Sequence, residues 1–486
     1  MSDPGVHIGK IALRGGLVTG AAQAIKVGVQ FLSVVIMARL LSPEDFGLVA
    51  SVAPIIAFVG LFQNLGLQQA VIQRRDISQR QLNQVFWLTV LVGIGSTIVV
   101  ILFSPAVAAF YGDRRLLLVT VAAALPLFLG SVSSLPLSLM NRNLQFSQLA
   151  INDILISVAT FVTAAIAAYA GLGYWSLLLA SAVSALVSMV AAWNVVRWKP
   201  DRPEWRVESD ILSFGANLTG FNLVNFFSRN LDNILIGRFA GAVELGYYDR
   251  AYKLLLFPLQ NINQPLTRVM VPLLSRIQDD EVRFRDVYMR TNWLLAAVTM
   301  PGTAGLLYAT NPVITLLFGE RWLPIAPIFF WLGLAGMVQP ISSTTGWLFI
   351  CRAKTRMMFR WGIYSAGTTV LSFIVGMHWG AVGVAAAYAI SGYILRVPVL
   401  AVLVGKVGPV TTGDFLSIQS LFVTAALTGW FVYKALPTAL IADNDIVAVA
   451  CAVVTSYATA AIFMLASPQS RRALTRALGN VAGSFP

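Results

Sequence analysis

From residue 15 to residue 466 the sequence is a succession of apolar runs, each about twenty residues long, separated by short polar stretches. A hydrocarbon core ~30 Å thick needs about 20 residues of helix rising ~1.5 Å each. In lipid the backbone must satisfy its own hydrogen bonds, so runs of this length predict helices. Fourteen spans are expected: 15–40, 44–66, 82–106, 115–139, 149–171, 174–196, 211–238, 245–275, 290–312, 324–350, 358–378, 381–404, 415–436 and 445–466. Only 11% of the 486 residues are charged, where a soluble domain has about 25%. The expected fold class is therefore an all-α integral membrane protein. Residues 1–14 are polar and the first apolar run is long enough to span, so it reads as an uncleaved start-transfer helix rather than a signal peptide.

A formal net charge of +13 would suggest nucleic acid in a soluble protein. Here the basic residues follow the membrane instead. With the N-terminus inside, twenty-two Lys and Arg fall on one side of the expected spans and five on the other, the bias that sets topology. Both termini are expected in the cytoplasm, and no nucleic-acid partner is expected. The connection "RWKPDRPEWRVESD" (197–210) reads as a cytoplasmic linker between two lobes. The expected organisation is an N-terminal lobe of six helices at 1–199, a linker at 200–210, a second six-helix lobe at 211–406, and two further helices with a basic tail at 407–486. The tail reads equally as a short interfacial helix or as a disordered basic segment.

Several chemistries lack their parts. The two cysteines, Cys351 and Cys451, and the two histidines, His7 and His378, are scattered. They offer no disulfide framework, metal site or Ser-His or Cys-His triad. There is no GxxxxGK[ST] phosphate loop and no loop large enough for an extramembrane domain. Neither a cofactor nor a metal is expected, apart from coupling to H+ or Na+.

The polar residues inside the spans hold a repeat. A shift of 199 places Gln23, Lys26, Gln30 and Ser33 over Asn222, Asn225, Arg229 and Asp232, and Arg39, Asp45 and Gly47 over Arg238, Glu244 and Gly246. The spacing i, i+3, i+7, i+10 puts each polar set within about 80° on one helix face. Six spans separate the copies, so they share an orientation and form parallel repeats about an axis along the membrane normal, enclosing a central cavity. The eighth span adds Asp249, Lys253, Gln260, Gln264 and Arg268 on one face, with Asn261 and Asn263 near it, and Pro258 and Pro265 are expected to interrupt its ladder. In the tenth, "VQPISSTT" (338–345) sets a proline beside hydroxyls, which reads as a kink or as Ser/Thr back-bonding.

Seven basic side chains fall inside these spans, Lys26, Arg229, Arg250, Lys253, Arg268, Arg396 and Lys434, against three acids, Asp153, Asp232 and Asp249. A basic group facing lipid at mid-membrane costs roughly 2.5–3.5 kcal/mol on insertion scales. Arg250 and Lys434 can snorkel. Arg229 with Asp232 and Asp249 with Lys253 have ion-pair spacing and are readable as packing devices. Lys26, Arg268 and Arg396 have no acid at such spacing. The candidate substrate-binding set is Lys26, Gln30, Asn225, Arg229, Lys253, Arg268 and Arg396, with Asp232 and Asp249 as candidates for ion coupling. Cations suit anionic groups, and amides suit sugar hydroxyls.

The runs "MARLLSPEDFGLVA" (37–50) and "NLDNILIGRFAGAVELGYYDRAYKLLLFPLQNINQPLTRVMVPLLSRIQDD" (230–280) resemble the Wzx-like polysaccharide-transporter flippases, most of all the colanic-acid exporter type. That family belongs to the superfamily that includes multidrug extruders and the lipid II flippase. The resemblance implies a non-enzymatic flippase in the bacterial cytoplasmic membrane. Its implied cargo is an undecaprenyl-pyrophosphate-linked oligosaccharide, moved to the outer leaflet by alternating access around a cationic cavity. Membrane lipids, a polysaccharide polymerase and glycosyltransferases are the implied partners. Lys26, Arg229, Lys253 and Arg268 match cations the family places in helices one, seven and eight. Where relatives carry arginine in the second helix, this chain has Gln63 and Asn64. Two other readings remain at this stage: a multidrug or organic-cation antiporter of the same superfamily, and a membrane glycan ligase or polymerase.

Overall fold

A computed structural model describes residues 23–64, 68, 71–72, 77–203, 226, 230–437, 444–468 and 470–471, with the side chains of 257–260 and 264 excepted. The expected linker from 204 onward, the first polar positions of the seventh span and the tail from 472 lie outside the described residues. Among the described residues every regular element is helical. Among the described residues ten helices are long and apolar enough to cross a membrane, or eleven if one sharply bent pair makes a single span. Large apolar side chains such as Leu102, Phe103, Ile166, Ile394 and Ile462 are 62–71% exposed. That surface is tolerable against acyl chains and not in water. The chain is a multi-pass membrane protein.

The described chain groups into two compact units, one up to Gly246 and one from Tyr247. In the first, α1 (Gln23–Leu40) leads into α2 (Pro43–Asn64). Then come α3 (Gln79–Tyr111), α4 (Arg115–Arg142), α5 (Phe146–Tyr169) and α6 (Trp175–Val195). Helix α2 packs on α3 and α4, α3 on α4, α4 on α6 and α5 on α6. The α2 start is written in the sequence. Ser42 caps, Pro43 takes the first position where no amide bond is needed, and Asp45 closes a capping box with 2.9 and 3.2 Å bonds to and from Ser42. The second Asp45 oxygen accepts from the Tyr174 amide at 2.9 Å, so the same residue fastens the turn between α5 and α6. Residues 198–203 are strapped to α3. The Asn83 amide donates to the Arg202 carbonyl at 2.6 Å and accepts from the Asp201 amide at 2.9 Å, while the Trp87 indole donates to the Asp201 carbonyl.

Residues 230–239 form α7, followed by α8 (Gly241–Arg276). A Cβ on Gly47 of α2 would overlap the Ala242 carbonyl, and one on Gly246 would overlap the Pro43 carbonyl. Those contacts are reciprocal, because the 199-residue shift carries Pro43 onto Ala242 and Gly47 onto Gly246. Both contacts lie within the first unit and join equivalent positions at the N-terminal ends of the two helices. Only glycine permits so close an approach of backbones.

The second unit continues with α9 (Glu281–Tyr308) and α10 (Thr310–Phe318), the pair bent by 87°. Next are α11 (Ala326–Cys351), α12 (Thr355–Gly376) and α13 (Gly380–Ser391). A π turn at Gly392–Arg396 precedes α14 (Val397–Val407), α15 (Thr412–Lys434) and α16 (Asp445–Ala466). Helix α9 is the hub, packed on α11, α15 and α16. A buried polar knot fixes its register: Thr344 donates to the Asn292 carbonyl oxygen at 2.6 Å, Tyr288 lies 3.1 Å from Thr344, and Asn292 donates to the Tyr288 carbonyl. Arg285 at the start of α9 grips Asp414 at the start of α15 with two bonds of 2.6 and 2.8 Å. Helix α8 runs unbroken through Pro258 and Pro265, where an interruption was expected. Its charges keep it off the set of plainly apolar helices.

Candidate functional site

The charged residues expected inside the spans fall into separate clusters. In the first unit the ammonium of Lys26 on α1 donates to Asp153 on α5 at 2.7 Å. Neither is well buried, with 27% of the Lys26 side chain and 51% of Asp153 exposed. Sequence spacing gave Lys26 no acid, because its partner stands 127 positions away on another helix. Gln30, one turn further along α1, is exposed. Asn225 and Arg229 lie outside the described residues. Asp232, from the same stripe, is 5% exposed and accepts from the Asn233 amide at 2.9 Å.

On α8 a single buried carboxylate serves two cations. Asp249 receives Arg250 at 2.6 and 3.1 Å on one oxygen and Lys253 at 2.9 Å on the other. The i, i+4 spacing of Asp249 and Lys253 was legible in the sequence, whereas Arg250 joined them without a recognisable spacing. The cluster carries two positive charges against one negative. Asp249 and Arg250 are buried, but 53% of the Lys253 side chain is exposed. The surplus charge is therefore presented at the surface of this unit.

Further along α8 the amides meet the hydroxyls of α11. Asn263 donates to Ser343 at 3.0 Å, and the Trp347 indole donates to Thr267 at 3.1 Å. The side-chain Oδ1 of Asn263 is buried without a hydrogen-bond partner among the described residues. Arg268, one residue beyond Thr267, is exposed. Amide, hydroxyl and indole on adjoining helices form a polar contact of the kind that serves sugars. Sequence analysis placed Asn263 and the "VQPISSTT" run on separate helices and did not pair them.

Arg396 is held differently. Its guanidinium donates to the Thr369 hydroxyl and the Tyr388 carbonyl and lies 4.2 Å from the centre of the Tyr388 ring. The π turn that ends at Arg396 leaves the helix locally overwide. A hydroxyl, a carbonyl and a ring thus stand in for a carboxylate. Among the described residues no group of three or more His, Cys, Asp or Glu side chains is arranged to hold a metal.

This fold has solved relatives. The structure superposes on the lipid II flippase MurJ in an inward closed conformation with a TM-score of 0.71 at 15% identity, covering 93% of this chain and 98% of that one. It superposes on an inward-facing multidrug resistance MATE family transporter of the MOP superfamily with a TM-score of 0.61 at 14% identity, covering 80% and 98%. At these identities the likeness is one of fold.

The sequence adds closer relatives. The teichuronic acid biosynthesis protein TuaB of Bacillus subtilis (strain 168) is 28% identical over 312 residues, which cover 63% of this chain and 64% of TuaB, so the chain spans less than two thirds of that protein's length. The lipopolysaccharide biosynthesis protein WzxC of Escherichia coli (strain K12) is 24% identical over 387 residues, 77% of this chain and 78% of WzxC. The succinoglycan biosynthesis transport protein ExoT of Rhizobium meliloti (strain 1021) is 26% identical over 321 residues, 65% and 64%. Residues 36–327, well over half of the sequence, match a single family model, and the chain belongs to the polysaccharide biosynthesis protein family that this model describes.

Proposed function

We propose that the chain is a flippase that carries an undecaprenyl-pyrophosphate-linked oligosaccharide from the inner to the outer leaflet of a bacterial cytoplasmic membrane, by alternating access. The observation that carries this reading is a conjunction. A member of a polysaccharide biosynthesis family has the fold of a lipid flippase, and relatives along most of its length are named for polysaccharide biosynthesis and transport. The bias of Lys and Arg among the loops supports cytoplasmic termini. The work comes from an ion gradient, from the membrane potential or from consumption of the product outside, since no nucleotide-binding loop is written in the sequence. A polymerase and glycosyltransferases are the working partners this reading calls for.

In this scheme the pyrophosphate is held by cations of the candidate set, Lys26, Arg229, Lys253 and Arg268. The sugars lie against amides and hydroxyls such as Gln30, Asn225, Asn263 and Ser343. Asp249 holds the local charge in place, and Asp232 and Asp249 are the candidates for ion coupling. Arg396, with its guanidinium already engaged, shapes the helix around the π turn. An organic-cation antiporter needs surplus negative charge to hold its cargo, whereas the Asp249 cluster sets two cations against one carboxylate. The test is export. Lys253→Ala with Arg268→Ala should abolish surface polysaccharide while leaving the protein at normal levels in the membrane, and undiminished export would remove both residues from the scheme.

A further inference from the structure

Asp153 is held differently from Asp45, Asp249 and Asp414. The Asp45 carboxylate takes three bonds from Ser42 and Tyr174, Asp414 takes both arms of Arg285 and the Thr411 amide, and Asp249 takes two cations. Asp153 makes one side-chain contact among the described residues, from one oxygen to the Lys26 ammonium, and half of its side chain stays exposed. An exposed ion pair contributes little to stability, because each charge keeps much of its solvation and two flexible side chains must be immobilised. The pair is therefore easily opened.

From this geometry we infer that Asp153 is a stand-in for the anionic cargo: it occupies the Lys26 ammonium when no cargo is bound and is displaced when a polyprenyl pyrophosphate arrives. The inference rests on the reading of Lys26 as a cargo contact. The exchange is a competition between a single carboxylate and a diphosphate for one ammonium. The diphosphate wins on charge and on the number of acceptor oxygens. In return Asp153 keeps a lysine in α1 neutralised while the site is empty, which spares the membrane an unpaired cation. It also sets a threshold, since a weakly anionic lipid cannot displace it. Asp153 is thus a specificity-determining residue that needs no lasting contact with the cargo.

The experiment uses the full-length protein in nanodiscs and geranyl pyrophosphate as the probe, with binding followed by calorimetry and folding by thermal unfolding. Asp153→Asn removes the competitor's charge and should tighten binding by about fivefold. Lys26→Gln should weaken it by roughly tenfold or more, as expected for loss of a charge-assisted bond. With Lys26→Gln in place, Asp153→Asn should add no gain, and Asp153→Glu alone should keep wild-type affinity. A structural brace between α1 and α5 would give the opposite sign, with Asp153→Asn binding no tighter than wild type and unfolding earlier. Wild-type binding that Asp153→Asn leaves unchanged or weakens overturns the inference alone. No binding to wild type or to any variant overturns the reading of the site with it.

Discussion

The membrane-depth charges on α1 and on α8 are balanced in opposite ways. Lys26 is matched by one carboxylate from a different helix, both partly exposed, so the pair is neutral and loosely held. On α8 one buried carboxylate lies beneath two cations of its own helix, so that cluster keeps a surplus charge and is tightly held. The difference separates two jobs that a tally of charges merges. A buried acid under two bases fixes where positive charge stands, and a surface pair governs when it is available.

The comparison breaks most easily at Asp249. Asp249→Ala removes the buried carboxylate that Arg250 and Lys253 share, which should cost about 3–5 kcal/mol. Thermal unfolding of the purified protein, or its yield in membranes, reads the loss. If Asp249→Ala unfolds like wild type, the two clusters are not different in kind. Next in size are the glycines where the repeats touch. Gly47→Val and Gly246→Val should each destabilise by about 1–3 kcal/mol through overpacking, and by similar amounts, because their contacts are reciprocal. A large effect at one and none at the other would contradict that relation. Asp153→Asn should shift stability by no more than about 1 kcal/mol, which sets it apart from Asp249→Ala in the same assay.

The smallest effect concerns a charge outside the spans. Asp113 accepts from Arg115, and that bond holds its carboxyl below the ordinary carboxylate range. A depressed folded-state value means its contribution is present above about pH 4, the unfolded value. The contribution fades as pH falls through the folded value. Asp113→Asn should flatten the loss of stability on acidification slightly, and an unaltered acid profile would show the pair to be idle.

Much of this was legible in local spacing. The apolar runs announced most of the helices, and the break near residue 378 was expected between two spans and lies at Met377–Trp379. The Asp249 and Lys253 pair followed from i, i+4 geometry. What could not be read was distant in sequence. Lys26 meets Asp153 and Asn263 meets Ser343 only because helices pack, and no periodicity reports which face meets which. The prolines of α8 misled because a proline removes one bond without ending a helix that neighbouring packing supports. The 199-residue shift was legible, but not that its glycines would touch.

The central claim is that surplus positive charge on α8 handles an anionic lipid carrier. Its most direct measurement is transbilayer movement of a polyprenyl-pyrophosphate oligosaccharide in proteoliposomes, comparing wild type with Lys253→Ala/Arg268→Ala. The account predicts rapid movement by wild type, none above the protein-free rate by the double variant, and no movement of an uncharged glycolipid by either. Equal rates in wild type and double variant, or equal handling of the uncharged lipid, would contradict it.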